Sequence, residues 1–84
     1  MGQFDKLKEQ LEEQKYPLLY MFKFIGPPTQ VSHLKVLFET AEVSTRDSRN
    51  GKYISFTAKM MMMNAADIIE IYEEAAKLEG VVAL

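Results

Sequence analysis

The chain contains no cysteine and only one histidine, His33. Without thiols there is no disulfide frame, no thiolate nucleophile and no cysteine-held metal, and a zinc site would have to be completed by carboxylates. Neither sign of charge dominates, since ten basic residues stand against twelve acidic ones for a formal net charge of −2. Nothing therefore draws the chain as a whole to a phosphate backbone or an anionic membrane. Long apolar runs are missing too, and none approaches the ~20 residues needed to span a bilayer. The N-terminus, Met-Gly-Gln-Phe-Asp-Lys-Leu-Lys-Glu, interleaves charge where a secretory signal needs a continuous apolar core. A cytoplasmic location with no membrane partner is the resulting expectation.

Eighty-four residues make one domain, because two separate cores would each be too small to outweigh chain entropy. A chain of this size hides only roughly 60–65% of its unfolded surface, so its core is thin. The hydrophobic content of 48% still marks a folded chain and not a disordered one.

Residues 4–14 place Phe4, Leu7 and Leu11 at helical spacing among lysines and glutamates, which predicts a short amphipathic helix. Pro17 closes it, since the residue before a proline avoids helical angles. Residues 1–16 thus read as an N-terminal helical extension and 17–84 as the domain proper. Residues 18–25 form an aromatic-rich strand, stopped by Gly26-Pro27-Pro28. Alternation puts Tyr20, Phe22 and Phe24 on one face and Leu19, Met21, Lys23 and Ile25 on the other. Both faces are mainly apolar, the pattern of a central strand.

A helix over 29–39 follows, opened by Pro28 and striped by Val31, Leu34, Leu37 and Phe38. Residues 41–48 alternate as a polar strand. Ser48-Arg49-Asn50-Gly51 predicts a hairpin turn in which Asn50 and Gly51 both take positive φ. Over 52–62, Ile54, Phe56, Ala58, Met60 and Met62 turn inward, while Tyr53, Ser55, Thr57 and Lys59 turn outward. Asn64 caps a helix over 65–78 with Ile68, Ile71, Tyr72 and Ala75 as its stripe and Gly80 at its end. A short strand at 81–84 completes the order β-α-β-β-α-β. That order is an α+β, ferredoxin-like sandwich, a four-stranded antiparallel sheet with two helices on one face.

Three blocks resemble a known family: Phe22-Lys23-Phe24-Ile25-Gly26, then Ser48-Arg49-Asn50-Gly51-Lys52-Tyr53-Ile54-Ser55, then Tyr72-Glu73-Glu74. In order and spacing they look like the YbeD-like family of small bacterial proteins, over roughly residues 17–84. That family is similar in fold to ACT-type regulatory domains and is itself of unknown function. The resemblance implies a bacterial source and a non-catalytic regulatory or binding role. The chain departs from the pattern at Pro27-Pro28 and in the methionine run at 60–63.

The residues themselves exclude several chemistries. Glu70, Glu73 and Glu74, like Glu9, Glu12 and Glu13, lie on wet helix faces, where carboxylates lack the burial that tunes a catalytic pKa. A ferredoxin-like acylphosphatase needs an arginine and free N–H groups in the loop after the first strand; here that loop is Gly26-Pro27-Pro28-Thr29-Gln30. No P-loop, nucleophile elbow or dinucleotide fingerprint occurs. No catalytic residue, metal ligand or cofactor is therefore assigned, and the chain is not expected to be an enzyme.

Two readings of function remain. The favoured one is a regulatory or binding module that associates with a protein or small metabolite. By analogy with ACT-type domains, a small ligand is expected at Gly26, Thr29 and Gln30. Leu19, Met21 and Ile25 form an apolar outer face that marks an interface, covered either by helix 4–14 or by a second copy in a homodimer. The alternative is a nucleic-acid-binding module on the same scaffold, with Tyr53 as a stacking ring and Arg46, Arg49 and Lys52 as a local basic cluster. Leu19 and Met21 stand where that reading wants an aromatic ring, and the net charge opposes it.

Overall fold

The computed structural model describes residues 4–48 and 50–84. The chain runs α1 (Asp5–Glu12), β1 (Leu18–Gly26), a 3₁₀ turn (Pro28–Gln30), α2 (Val31–Leu37), β2 (Glu42–Asp47), β3 (Ile54–Met62), α3 (Ala65–Ala76) and β4 (Val82–Ala83). The strands form one antiparallel sheet in the order β2-β3-β1-β4. This is the ferredoxin-like plan, with β1 inside the sheet as its doubly apolar sequence requires.

The core grows from the period-2 alternation of β1 and β3. Phe22 and Phe24 pair directly with Ala58 and Phe56, which places all four side chains on one face. Phe38, just past α2, rests its ring 5.1 Å from that of Phe22 and 5.6 Å from that of Phe56. Leu34 and Ile68 bring α2 and α3 onto the same cluster; Phe22, Phe24, Phe38, Phe56, Leu34 and Ile68 are effectively sealed from water, as is the smaller Ala58 beside them. Phe38 belongs to the core through the helix end: α2 stops at Leu37, and Phe38 adopts non-helical angles with φ −122°.

Asn64 caps α3 as its sequence predicts. Its side-chain oxygen accepts the amide N–H of Asp67 at 2.8 Å, and Asp67 places negative charge at the helix's positive end. The buried stripe of α3 is wider than spacing alone suggests, since Ala65 and Ile69 join Ile68, Tyr72 and Ala75.

Two expectations need correction. The β2–β3 turn is not a tight Asn-Gly hairpin. Asp47 and Ile54 are the last paired residues, and the N–H of Ser48 donates to Tyr53 O at 2.9 Å beyond them. Of the pair, only Gly51 has positive φ (72°). Asn50 instead works through its side chain, whose oxygen accepts from Lys52 N at 3.3 Å. Hairpin loops of four or five residues are most often built around a type I turn, which does not ask for the two positive φ angles of the two-residue Asn-Gly hairpin. Arg49 lies outside the described residues, as do residues 1–3 of the N-terminal extension.

The second correction concerns α1, which does not lie across the outer face of the sheet. Leu11 is only 5% exposed and joins the main core. The ring of Phe4 lies 5.8 Å from that of Tyr72 on α3, and the hydroxyl of Tyr16 donates to Leu11 O at 2.7 Å. The stripe of α1 completes the existing helical layer, and the opposite face of the sheet is left open.

Candidate binding site on the sheet

Register assigns the residues of the open face. Leu19 sits opposite Met61, Met21 opposite Lys59, Lys23 opposite Thr57 and Ile25 opposite Ser55. On the far side of β3, Lys59, Thr57 and Ser55 meet Glu42, Ser44 and Arg46 of β2. Beyond β1, Val82 of β4 pairs with Ile25, and the N–H of Leu84 donates to Lys23 O at 2.9 Å. Side chains of paired residues share a face and stand about 5 Å apart, so these contacts define a continuous surface.

That surface has two halves. Along β1 and β4 it is apolar: Leu19 is 61% exposed, Met21 46%, Met61 57% and Val82 56%, with Ile25 half-buried between them. Over β2 and β3 it is polar, with Lys59, Arg46 and Glu42 exposed around Ser44, Ser55 and Thr57. The outer side of β1 is also incompletely paired, because β4 reaches only Phe24 and Ile25.

The interface residues named from sequence, Leu19, Met21 and Ile25, thus share one face, and Met61 and Val82 extend their band. Met61 was readable by parity, since it alternates with the inward Met60 and Met62. Val82 was not, because only the β1–β4 pairing brings it beside Ile25.

The loop residues behave differently. Gly26 is buried, and a Cβ there would lie 3.0 Å from Val81 Cγ2, so its role in this structure is close packing against the chain that enters β4. Thr29 and Gln30 line a shallow cleft of about 550 Å³ together with Pro27, Tyr53, Gly80 and Val82. The amide of Gln30 is already engaged: Nε2 donates to Glu79 O at 3.1 Å, and Oε1 accepts from Nδ1 of His33 at 2.7 Å. The backbone N–H of Gln30 is turned to Pro27 O at 3.0 Å. The structure therefore brings Thr29 and Gln30 to one cleft, and Gly26 is not among its lining residues.

Elsewhere, Glu70, Glu73 and Glu74 are exposed, and Glu74 pairs with Lys77 at 3.0 Å. Among the described residues no three His, Asp or Glu side chains gather as metal ligands, and no helix is long and apolar enough to cross a membrane.

Comparison with known proteins places this geometry in a lineage. The family model described as "Protein of unknown function (DUF493)" matches residues 11–84. The solution structure of protein HP0495 from H. pylori, a structural genomics target, is similar at a TM-score of 0.74 and 27% identity, covering 100% of this chain and 96% of that one. No curated protein matches the chain.

Proposed function

The chain belongs to the DUF493 family of proteins of unknown function, and from that premise we propose that it is a non-catalytic binding module that docks a protein partner on the open face of its sheet. The observation that carries this reading is the band of Leu19, Met21, Met61, Ile25 and Val82, which stays uncovered while α1, α2 and α3 all pack on the other face. Side chains of this size forgo roughly 1.5–3 kcal/mol each when left in water instead of buried. Side by side on one face, they mark a surface that meets another molecule.

Charge selects the occupant. Lys23, Lys59 and Arg46 outnumber Glu42 on this face, although the whole chain carries −2. Two copies meeting face to face would bring like charges together. The fitting partner is a protein segment with apolar anchors and Asp or Glu around them.

A peptide-display selection on the intact chain, counter-selected on Met21→Glu, tests the reading. Enriched peptides should combine apolar residues with Asp or Glu and bind Met21→Glu at least about tenfold more weakly, because the variant buries an unpaired charge. Peptides that bind the variant equally well, or that lack an acidic bias, contradict it. A chain that sediments as a dimer split by Met21→Glu would assign the face to a second copy.

A further inference from the structure

The polar half of the open face, whose cations bias the docking surface toward acidic partners, also holds a depression that the apolar band does not fill. Lys23, Ser44, Thr45, Arg46, Ser55 and Thr57 line a depression of about 490 Å³. Two adjacent cross-strand rows build it: Lys23, Thr57 and Ser44 form one, and Ile25, Ser55 and Arg46 the next. Three short hydroxyl side chains make the floor, and a long cation rises from β1 and from β2 at opposite corners. Ser44 and Ser55 stand within paired strands, where β-branched and aromatic residues are favoured. Their small size is what leaves the surface concave.

Among the described residues none of these groups is committed to a partner: neither Lys23 nor Arg46 forms an ion pair, and the hydroxyls of Ser44, Ser55 and Thr57 have no protein hydrogen-bond partner. We propose that this depression binds one phosphate monoester group of a small phosphorylated metabolite. A phosphate monoester carries about −1.5 to −2 charge and three strong acceptor oxygens, which matches two cations and three hydroxyl donors. A carboxylate, with one charge and two oxygens, leaves part of the set unused. The arginine supplies a planar fork suited to two phosphate oxygens, and the lysine a mobile point charge. Ile25 lies beside Ser55 and continues to Val82, so the organic part of the ligand rests on the apolar half of the face.

The test is an amide NMR titration of the intact chain with inorganic phosphate, phenyl phosphate, acetate and a single-stranded oligothymidylate. Saturable shifts are expected at Lys23, Ser44, Arg46, Ser55 and Thr57, with phenyl phosphate tighter than phosphate and a Kd below about 1 mM. Acetate is expected to bind at least about tenfold more weakly. Lys23→Gln and Arg46→Gln, both at exposed positions, should each weaken phenyl phosphate about tenfold or more, the scale of one charge-assisted hydrogen bond. Leu19→Glu, which disables docking, should leave the phosphate shifts in place, so the two readings fail separately. Shifts centred elsewhere, equal binding of acetate, or unchanged binding by both glutamine variants would overturn the assignment. Tighter binding of the oligothymidylate than of phenyl phosphate would overturn it too, giving the surface to nucleic acid.

Discussion

The hydroxyls of Tyr20 on β1 and Tyr72 on α3 lie 2.9 Å apart and share one hydrogen bond across 52 positions of sequence. Their rings meet edge-on at 89°. One polar contact thus joins the sheet to α3 at the rim of an otherwise apolar core, and the ring of Phe4, the residue before α1, packs against Tyr72. Burial, and then the bond to Tyr20, raise the pKa of Tyr72 well above its ordinary value of 10.0.

That shift has a defined consequence for stability. Because the folded chain holds Tyr72 protonated more firmly than the unfolded chain does, its contribution is complete below pH 10 and declines as pH rises beyond it. Tyr72→Phe should cost about 1 kcal/mol near neutral pH. The gap between the two proteins should then narrow at alkaline pH. Urea unfolding from pH 8 to 11.5 measures it, and parallel stability curves would contradict the account.

The cap of α3 offers a second check. Asn64 both accepts from Asp67 N at 2.8 Å and donates to Asp67 Oδ2 at 3.2 Å. Asn64→Ala should lower unfolding stability by about 1 kcal/mol, whereas Asn64→Ser should recover most of it. Equal losses for both variants would mean that the contact contributes little.

Gly26 and Val81 should behave as a coupled pair. A Cβ on Gly26 would meet Val81 Cγ2 at 3.0 Å and its backbone Cα at 3.4 Å. Gly26→Ala should therefore destabilise by about 1–3 kcal/mol through overpacking. Adding Val81→Ala should return part of that loss, and the non-additivity measures the contact. Strictly additive effects would show that the crowding is relieved elsewhere.

The N-terminal helix should be energetically part of the domain. Leu11 is 5% exposed within the main core, so Leu11→Ala should cost about 2–3 kcal/mol in chemical denaturation. A loss below about 0.5 kcal/mol, typical of surface positions, would mean that α1 is only loosely attached.

The strands were legible because alternation is a strict signal: one residue's parity decides its face. Phe22, Phe24 and Phe56 fall inward and Leu19, Met21 and Lys59 outward, as their positions alone require. The placement of α1 was not legible. The stripe of Phe4, Leu7 and Leu11 states that the helix buries something, but which layer receives it depends on Tyr72, far along the chain. Asn50-Gly51 suggested the shortest hairpin, yet of that pair only Gly51 takes positive φ. The cationic depression was hidden for a different reason. Lys23, Arg46 and the three hydroxyls come from separate strands, and in composition they are averaged away by the acidic helices.

The open face is the centre of this account, and site-specific photo-crosslinking in living cells tests it most directly. A photoreactive residue at Met21 is compared with one at Val36, which is 66% exposed on α2 and so no less accessible. Heteromeric adducts are expected at Met21, absent at Val36 and lost when Lys59 is changed to Glu. Adducts of equal yield at both positions, or adducts at Met21 that consist only of a second copy of the chain, would contradict it.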